Sequence, residues 1–454
     1  MSASISTAPY ADPPWLSRDI SPYYNEGHRR LQREAREYVS THITPFCAEW
    51  EAQGSVPQQV ILNHARLGYM AVSVYPLAVQ QIRTLGQRLP GDIDPEDWDG
   101  FHDLIVIDEV ARCGYLGVIW ALSCGNSIGA PPVINFGSDE QKARFLPDML
   151  AGRSRFCLGV TEPDAGSDVA GLLTTAERQG DKYIVNGSKK WITNGIFADY
   201  CTAAVRTGGP GRKGISALMV PMKAKGVTCK KMENSGVNAS GSTYIEFDDV
   251  EVPVSNLLGQ ENRGFDIIMS NFNHERLWLA CTSLRMARVC AEDSYSHATK
   301  RETFGKPLIS NQVIAAKIAG FARDIEPVHA YMESLVYMVE HERKRKALLR
   351  QGGAVMVGSG VEEAQQVDLN IGGMIATLKT SAGRALERVN REAQQIMGGA
   401  GYQRGGKGAR IEQISRDVRV MVVGGGSDEI LSDLAVKLET KELQRIASVR
   451  SSKL

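Results

Sequence analysis

The spacing of hydrophobic residues changes period twice along this chain, and that change limits the fold more than any other feature of the sequence. From about Tyr23 to Gly152 apolar residues recur every three or four positions, as in HRRLQREAREYVSTHI, which is typical of amphipathic helices. From 157 to 258 they alternate with polar residues, as in STYIEFDDVEVPVSNLLG, which is typical of half-buried strands. The helical spacing returns after Asn262. The sequence therefore predicts a β unit between two helical regions.

A chain of 454 residues is too long for one ordinary core and predicts two or three packed units. We expect an α+β protein in four parts: an N-terminal helical domain at 20–155, a middle β domain at 156–260, a C-terminal helical domain at 261–445 and a tail at 446–454. Long helices in the third part are predicted around 264–300, 310–345, 368–398 and 428–447. Glycines and mixed charge at 344–366 predict a loop or an insertion between helices.

The middle region contains KYIVNGSKKWITNG, which reads as two strand-type runs on either side of Asn186-Gly187. That dipeptide predicts a two-residue hairpin turn. Trp191 and Thr193 are two positions apart, so on a strand their side chains face the same way. A large ring beside a hydroxyl suits a planar ligand that needs stacking and one hydrogen bond. A core tryptophan with a threonine at a strand edge explains the same pair, and both interpretations stay open at this point.

Composition excludes several classes of protein. Lys and Arg together number 52, as do Asp and Glu, and the formal net charge of +0 gives no electrostatic reason to expect nucleic acid or anionic lipid as a partner. No apolar run is long enough to span a bilayer. The eight cysteines form no CxxC pair and no Cys/His cluster at metal spacing. We therefore predict no metal site and thiols that stay reduced inside a cell.

The two ends of the chain bear on targeting. MSASISTAPYADPPWL has no apolar segment and no arginine before Arg18, so neither a secretory signal nor a mitochondrial transit peptide is expected. The chain ends in Ser452-Lys453-Leu454, and a terminal SKL is an address that the peroxisomal import receptor reads. We expect a peroxisomal protein on this basis. A chance ending on a polar tail is the alternative.

One carboxylate lies where the helical pattern predicts burial. In SNFNHERLWLA (270–280), Glu275 falls about 60° from the middle of an apolar stripe, at 100° per residue. Burying an ionised carboxylate is costly unless something pairs with it. Pairing with His274 or Arg276 is geometrically poor, because adjacent helical residues diverge by about 100°. The helical pattern alone does not explain why a carboxylate lies at this position.

Four glycine-containing stretches mark places where the backbone can approach a ligand closely. They are LGVTEPDAGSDVAG (158–171), KRETFGKPL (300–308), QIMGGAGYQRGG (395–406) and VVGGGSDEI (422–430). None fits the Walker A pattern and none is a GxGxxG after a strand, so the usual nucleotide-binding loops are excluded. Taken singly, each stretch is also explained as the cap of a helix.

Together and in this order, these stretches resemble the acyl-CoA dehydrogenase family of flavoenzymes. VTEPDAGSD, NGSKKWITNG, RETFGKPL, QIMGGAGY and SRDVRV each look like a family signature at the family's spacing, and the likeness runs from Tyr23 to Glu442. It implies the fold of that family, with a β-barrel-like middle domain and a C-terminal four-helix bundle. It also implies FAD as the cofactor, an acyl-CoA substrate and a homodimer or homotetramer.

The resemblance assigns parts of FAD to particular residues. Those implied for the flavin ring are Leu158, Val160, Thr161, Trp191 and Thr193. Among these, Trp191 would cover one face of the ring and the Thr193 hydroxyl would lie near N5. Ser167 would lie near the FAD pyrophosphate and the CoA moiety. The residues implied for the adenylate half, held across a subunit interface, and for the last glycine loop are Arg301, Thr303, Phe304, Gln312, Gln395, Gly399 and Ser427.

The chemistry of this family needs a base that removes the proton α to a thioester. Most members carry that base as a glutamate at the position where this chain has Gly425. In isovaleryl-type and long-chain-type members the base lies instead on a helix, at the position that Glu275 matches. The resemblance thus implies Glu275 as the catalytic base, Gly425 and Gly426 as substrate-binding residues, and Arg276 directed toward the CoA end.

The expected reaction is FAD-dependent α,β-dehydrogenation of an acyl-CoA thioester to a 2,3-enoyl-CoA, in peroxisomal fatty-acid oxidation or in secondary-metabolite biosynthesis. The electron acceptor would be an electron-transfer flavoprotein or O₂. Two alternatives stay open. An acyl-CoA oxidase-like enzyme that makes peroxide is motivated by the SKL ending, and a non-catalytic acyl-CoA- or flavin-binding scaffold is motivated by Gly425. The acyl chain is not readable from the sequence.

Overall fold

The first third of the chain is helical. The computed structural model describes residues 5–350, 355–357, 360–362 and 370–451. The helices that precede the first strand are α1 (Pro14–Ser17), α2 (Glu26–His42), α3 (Cys47–Gln53), α4 (Gln58–Arg66), α5 (Tyr69–Val72), α6 (Val79–Thr84), α7 (Gly100–Ala111), α8 (Leu116–Gly129), α9 (Pro131–Phe136) and α10 (Asp139–Leu150). Helix α8 is buried along most of its length. It joins the helical and β parts of the site.

The middle of the chain forms one eight-stranded sheet. Its strands are β1 (Phe156–Gly159), β2 (Thr175–Gln179), β3 (Lys182–Ile192), β4 (Tyr200–Arg206), β5 (Ile215–Pro221), β6 (Val227–Lys231), β7 (Thr243–Pro253) and β8 (Leu257–Leu258). The order across the sheet is β6-β7-β3-β2-β4-β5-β8, and β1 pairs in parallel with β4. Alternating side chains such as Tyr183, Val220 and Phe247 form a separate hydrophobic core for this unit.

Helices return after the sheet. They are α11 (Gly264–Met269), α12 (Phe272–Lys300), α13 (Gln312–Arg350), α14 (Gly372–Met397), α15 (Ala409–Val423) and α16 (Asp428–Ser451). Two short antiparallel pairs accompany them: β9 (Glu302–Thr303) with β10 (Lys306–Pro307), and β11 (Val355–Val357) with β12 (Gly360–Glu362). Helices α12 and α14 make the most extensive contact in this part. The predicted order of helices, β unit and helices is confirmed, and no described helix has the length and apolar character needed to cross a membrane.

Two N-terminal helices begin with matched caps that meet each other. His28 and Asn25 form a capping box at the start of α2, and His102 and Asp99 form another at the start of α7. The two imidazole rings stack at 3.9 Å, and His28 Nε2 lies 3.0 Å from Asp99 Oδ1. These three side chains are also the one group among the described residues with ligand-type atoms close enough to hold a metal ion. Their capping bonds explain why they cluster.

The predicted hairpin at Asn186-Gly187 is wrong. Strand β3 runs straight through both residues, and the two-residue turn is Gly180-Asp181, because Gln179 pairs with Lys182. Gly187 has φ 139° and lies at a β-bulge against β7. The side chain of Asn186 donates to and accepts from Asp249 across that bulge, at 3.0 and 2.7 Å. The backbone freedom of glycine is therefore used in a bulge, which the dipeptide alone does not distinguish from a turn.

Two further predictions on the C-terminal region need correction. The helix expected at 264–300 is interrupted at Ser270 and Asn271, where Ser270 Oγ donates to Ile267 O at 2.7 Å and Asn271 is buried. Such local side-chain bonds compete with continued helix. The loop expected at 344–366 begins as helix, since α13 continues to Arg350. The rest of that stretch apart from β11 and β12, together with the SKL ending, lies outside the described residues.

Candidate active site

The site centres on the start of α12. The break at Asn271 makes Glu275 part of the first turn of a new 29-residue helix, where the N-terminal end of the helix dipole favours a negative charge. Asn271 anchors this end, because its Nδ2 donates to Ser127 O of α8 at 3.4 Å. The predicted apolar stripe that crossed residues 265–279 therefore belongs to two helices, and Glu275 is half-buried at the junction.

The carboxylate of Glu275 has no hydrogen-bond partner among the described residues. The neighbouring His274 is hydrogen-bonded to a different residue. Its Nε2 lies 2.7 Å from Asp103 Oδ2, and its ring stacks on that of Tyr75 at 4.6 Å. Arg276 Nε donates to Gly425 O at 3.1 Å. Neither adjacent residue pairs with Glu275, as the helical geometry predicted. Loss of water contact raises the pKa of Glu275 to about 7, which Arg276 and His274 partly oppose.

The glycine loop between α15 and α16 lies directly against α12. Gly425 has φ 65°, and a Cβ there would approach Leu279 Cδ1 to 2.7 Å, one helical turn after Glu275. At the position that carries the base in most members of the family the sequence resembles, a side chain would therefore require a strained backbone conformation and a shift of the Leu279 side chain. The amide N–H groups of Gly425 and Gly426 have no acceptor within the described residues. They are available to a ligand oxygen beside Glu275.

Lys379 is a buried residue of this site that the sequence did not reveal. It lies on α14, is 1% exposed, and its Nζ donates to Val422 O at 2.6 Å and to Gly426 O at 2.8 Å. Burial lowers the pKa of Lys379 to about 8, and Asp428 and Glu275 oppose that change. A lysine within an ordinary amphipathic helix gave no sequence signal, because only the packing of α14 on the loop makes it internal.

The β side of the site is formed by the end of β3 and the loop after β1. Trp191 is 50% exposed and has φ 58°, an uncommon conformation for a large residue. Strand β3 ends at Ile192, so Thr193 lies in the following turn, and the regular strand geometry assumed for the pair does not hold. Lys190 N donates to Thr161 O at 2.9 Å, which brings Thr161 beside Trp191. The structure therefore brings together Thr161, Trp191 and Thr193.

A buried ion pair fixes that loop. Lys189 Nζ lies 2.7 Å from Glu162 Oε1 and donates to Val160 O at 3.2 Å, with both charged side chains almost wholly inaccessible. Glu162 also accepts from the backbone of Leu173 and Thr174 at 2.5 and 3.0 Å. Because a buried charge that loses its partner is strongly unfavourable, these bonds hold the Val160–Thr161 segment rigidly under β3.

Asn194 links the β side to the helical side, and the sequence did not single it out. Its Oδ1 accepts from Gly125 N at 2.7 Å, and its Nδ2 donates to Ser240 O at 2.8 Å. A Cβ on Gly125 would lie 2.3 Å from Phe156 O, so only glycine allows α8 to come this close to the sheet. The preceding residue, Cys124, is near enough to Glu275 for that carboxylate to help raise its pKa. Helix α8 thus spans the two halves of the site.

These residues fit a flavin ring. A half-exposed indole offers a stacking surface, and the hydroxyls of Thr161 and Thr193 have no hydrogen-bond partner among the described residues. A planar, hydrogen-bonding ring needs such groups at its face and edge. Leu158 is half-buried and Val160 is buried at the end of β1, where a ring edge would meet backbone.

The other implied FAD residues lie away from this cluster or at its rim. Phe304 is fully exposed at a two-residue turn with Gly305, where φ is 53° and 75°, and Thr303 is half-buried in β9. Ser167 is exposed, and Ser427 is half-buried just before α16, where the backbone N–H of Glu429 and then the Ser427 side chain lower the pKa of Glu429. The exposed members of the adenylate set are Arg301, Phe304, Gln312, Gln395 and Gly399.

Comparison with known proteins agrees with this architecture. Models of the acyl-CoA dehydrogenase N-terminal, middle and C-terminal domains match residues 25–76 and 79–153, 157–250, and 262–437. The chain is 51% identical to acyl-CoA dehydrogenase AFT10-1 of Alternaria alternata over 443 residues, 98% of each chain, and 41% identical to acyl-CoA dehydrogenase apdG of Emericella nidulans over 439 residues, 96% of each.

A solved structure shows the same arrangement. The acyl-CoA dehydrogenase of Geobacillus kaustophilus superposes with a TM-score of 0.76 at 26% identity, covering 92% of this chain and 99% of that one. Three domain models and two full-length relatives above 30% identity agree. The chain therefore belongs to the acyl-CoA dehydrogenase family, and it is an FAD-dependent oxidoreductase that acts on acyl-CoA.

Proposed function

We propose that this enzyme converts an acyl-CoA thioester to its 2,3-enoyl-CoA, with Glu275 as the base that removes the α-proton. The observation that carries the proposal is the carboxylate of Glu275, which lies without a partner beside the free amides of the glycine loop and has a pKa raised to about 7. A base whose pKa is near the working pH is efficient in proton transfer. FAD, held by the residues around Trp191, would supply the acceptor for the hydride that leaves the β-carbon.

The chain's own groups divide the remaining work. Loss of an α-proton places negative charge on the thioester oxygen, and the unpaired Gly425 N–H is a preorganised donor for it. Burial on α12 and α8 keeps water from the carboxylate and so keeps it basic. Trp191 and the hydroxyls of Thr161 and Thr193 orient the flavin ring. Arg276 is held to Gly425 O at 3.1 Å, and Ser167 lies exposed where the CoA moiety would pass.

The test is anaerobic mixing of the purified holoenzyme with straight, branched and polyunsaturated acyl-CoAs while the flavin absorbance is followed. Bleaching by one class establishes the reaction and the acyl group together. A protein that binds acyl-CoA tightly and never bleaches would support the scaffold alternative and contradict the proposal. Admitting O₂ to the bleached enzyme then separates the acceptors, since flavin reoxidation as fast as turnover, with one peroxide formed per flavin, identifies an oxidase.

We place the reaction in the peroxisome, in fatty-acid oxidation or secondary-metabolite biosynthesis. The support is the terminal Ser452-Lys453-Leu454, which the peroxisomal import receptor reads. The test compares a tagged full chain with one lacking these three residues in cells with marked peroxisomes. A cytosolic signal for both chains would overturn the assignment.

We further propose a homodimer or homotetramer in which each FAD spans two subunits. Glu275 and Arg301 lie at opposite ends of α12, 26 residues apart, which is about 39 Å along a helix. One FAD cannot easily serve both ends of the same helix, so the exposed adenylate set of one chain would serve the partner's flavin. Phe304→Ala should lower the FAD retained through gel filtration and the oligomeric mass, whereas Ile20→Ala, at an exposed position in the N-terminal region, should change neither. Equal FAD retention by both variants would contradict the arrangement.

A further inference from the structure

Around the glycine loop, backbone carbonyls are hydrogen-bonded, whereas two backbone amides are not. Three carbonyls here, that of Val422 in the last turn of α15 and those of Gly425 and Gly426 in the loop, accept hydrogen bonds from cationic side chains. The amides of Gly425 and Gly426 have no acceptor within the described part of the chain. A planar peptide joins the C=O of one residue to the N–H of the next, so the bond from Arg276 to Gly425 O fixes the direction of the Gly426 N–H. Lys379 holds the peptide groups on either side of the one that carries the Gly425 N–H, and so restricts the loop segment to which that amide belongs.

We infer that Lys379 is a positioning residue of the active site, whose ammonium holds the glycine loop so that the free Gly425 amide stays directed at the substrate oxygen. The inference rests on the proposed function. It extends that function to a residue whose hydrogen bonds go to the carbonyls of Val422 and Gly426 and not to Glu275.

The bonds of Lys379 close the loop at both ends. Val422 lies in the last turn of α15, where unpaired carbonyls and the helix dipole favour a cation. Gly426 lies two residues before the start of α16. One ammonium from α14 therefore joins the end of one helix to the beginning of the next, at 2.6 and 2.8 Å. Arg276 holds the carbonyl between them, that of Gly425, from the other side.

Lys379 also acts on the base through charge. The groups that face Glu275 come from three elements: His274 and Arg276 of α12, Lys379 of α14 and Cys124 of α8. Asp428 of α16 faces Lys379, and Asp103 of α7 is paired with His274. The positive charge of Lys379 favours the ionised form of Glu275, against the effect of burial. The Lys379 side chain therefore affects both the position of the glycine loop and the pKa of Glu275.

The test uses three variants of the holoenzyme. Lys379→Met removes both donors and the charge, and Lys379→Gln keeps two N–H donors without the charge. Arg384→Gln is the matched control, because Arg384 is on the same helix, also faces Asp428, is exposed and has no bond to the loop carbonyls. All three are checked first for bound flavin and thermal unfolding.

Hydrogen exchange of the peptide covering 420–431 is read without any turnover. We expect Lys379→Met to exchange faster there by roughly ten- to a hundredfold, and Arg384→Gln to match wild type. In turnover, we expect Lys379→Met to lower kcat by roughly ten- to a hundredfold, more than it raises KM. The acidic limb of kcat/KM should move to higher pH by roughly half a unit to one unit.

Lys379→Gln separates the two effects, since it should share the shift of the acidic limb with a smaller loss of kcat. Unchanged exchange and an unchanged acidic limb in Lys379→Met would overturn the inference. If neither variant folds, the wild-type holoenzyme decides, because a segment held at both ends should show protected amides within 420–431 at pH 7, and exchange there at the rate of an unstructured peptide would reject the inference. Slow exchange that depends on Lys379 in a protein that never bleaches would instead reject the proposed function and leave the loop contact standing.

Discussion

Two carboxylates of this enzyme have pKa values raised to about 7 by loss of contact with water, Glu275 at the start of α12 and Asp417 on α15. Burial is the main cause for both. Asp417 is wholly inaccessible and is surrounded by donors, accepting from Val237 N at 2.8 Å, Leu116 N at 3.2 Å and Gln413 Nε2 at 2.8 Å. Glu275 is half-buried and accepts from no described residue. The same pKa therefore accompanies a satisfied carboxylate and a free one.

The neighbours of Asp417 explain its raised pKa differently. Glu51 adds a second negative charge, so the two carboxyls share a site in which ionising both is unfavourable. Leu116 belongs to α8, Val237 to the loop before β7 and Asp417 to α15, so these bonds join all three regions of the chain. A perturbed pKa identifies a candidate site only together with unused hydrogen-bonding capacity. Asp417 fails that second criterion and Glu275 meets it.

The largest expected effect concerns turnover. Glu275→Gln keeps the shape of the side chain and removes the base, so flavin bleaching by acyl-CoA should slow by roughly 10²- to 10⁴-fold with FAD still bound. Asp417→Asn should bleach at nearly the wild-type rate, because its contacts are between protein groups alone. Stopped-flow absorbance measures both. Fast bleaching by Glu275→Gln would remove the distinction between the two carboxylates.

The second effect concerns the free energy of unfolding, which should fall when Asp417 is replaced and should not fall when Glu275 is replaced. Asp417→Ala leaves the amides of Val237 and Leu116 without their acceptor, and Gln413 Nε2 with only its longer bond to Glu51 Oε1 at 3.4 Å, and should cost about 3 kcal/mol of unfolding free energy. Glu275→Gln removes a desolvated carboxyl that has no partner and should leave stability unchanged or slightly raised. Thermal unfolding of the holoenzymes at equal FAD concentration gives the comparison. A loss in Glu275→Gln as large as in Asp417→Ala would mean that Glu275 has a structural partner.

The third effect concerns pH. Both carboxyls have folded pKa values above their ordinary values of 4.5 and 3.8, so the folded state binds more protons than the unfolded state between pH 5 and 7. Stability should therefore fall as pH rises through that range, by up to about 1.4 kcal/mol per pH unit for each group. Glu275→Gln and Asp417→Asn should each reduce this slope.

Turnover against pH then separates the same two groups. The acidic limb of kcat/KM near pH 7 reports the ionisation of the base in the free enzyme, and Asp417→Asn should leave that limb in place. A limb that moves in Asp417→Asn would show that the two carboxyls are coupled. The two carboxyls would then titrate as one coupled system.

The sequence predicted the part of the site that depends on local pattern. The change in hydrophobic periodicity located the three regions. The resemblance of short stretches to the acyl-CoA dehydrogenase family assigned Glu275 and the residues around Trp191 to one site. Lys379, Asn194 and Asp417 were not found, because each acts through a partner far along the chain, such as Val422, Ser240 or Val237. Their residue types and spacing are ordinary, and only tertiary packing makes them buried.

The two predictions that were wrong, the hairpin turn and the uninterrupted helix, have a different cause. Asn-Gly at 186–187 favours positive φ, which a bulge satisfies as well as a turn does, and the choice depends on the cross-strand partner Asp249. The helix break at Ser270-Asn271 likewise depends on the bond from Asn271 to α8. Backbone preferences could be predicted from these residues, and the long-range contacts that select among the permitted conformations could not.

The smallest expected effect tests whether nearness alone makes a residue part of the catalytic group. His274 adjoins Glu275 in sequence, yet its ring is bonded to Asp103 and stacked on Tyr75. Because its influence on Glu275 is through charge alone, His274→Gln should change kcat by less than about fivefold and move the acidic limb slightly to higher pH. Steady-state assays across pH 5.5 to 8.5 measure both quantities. A loss comparable with that of Glu275→Gln would make the His274–Asp103 pair a second proton-transferring unit, and Glu275 would no longer be the single base of the site.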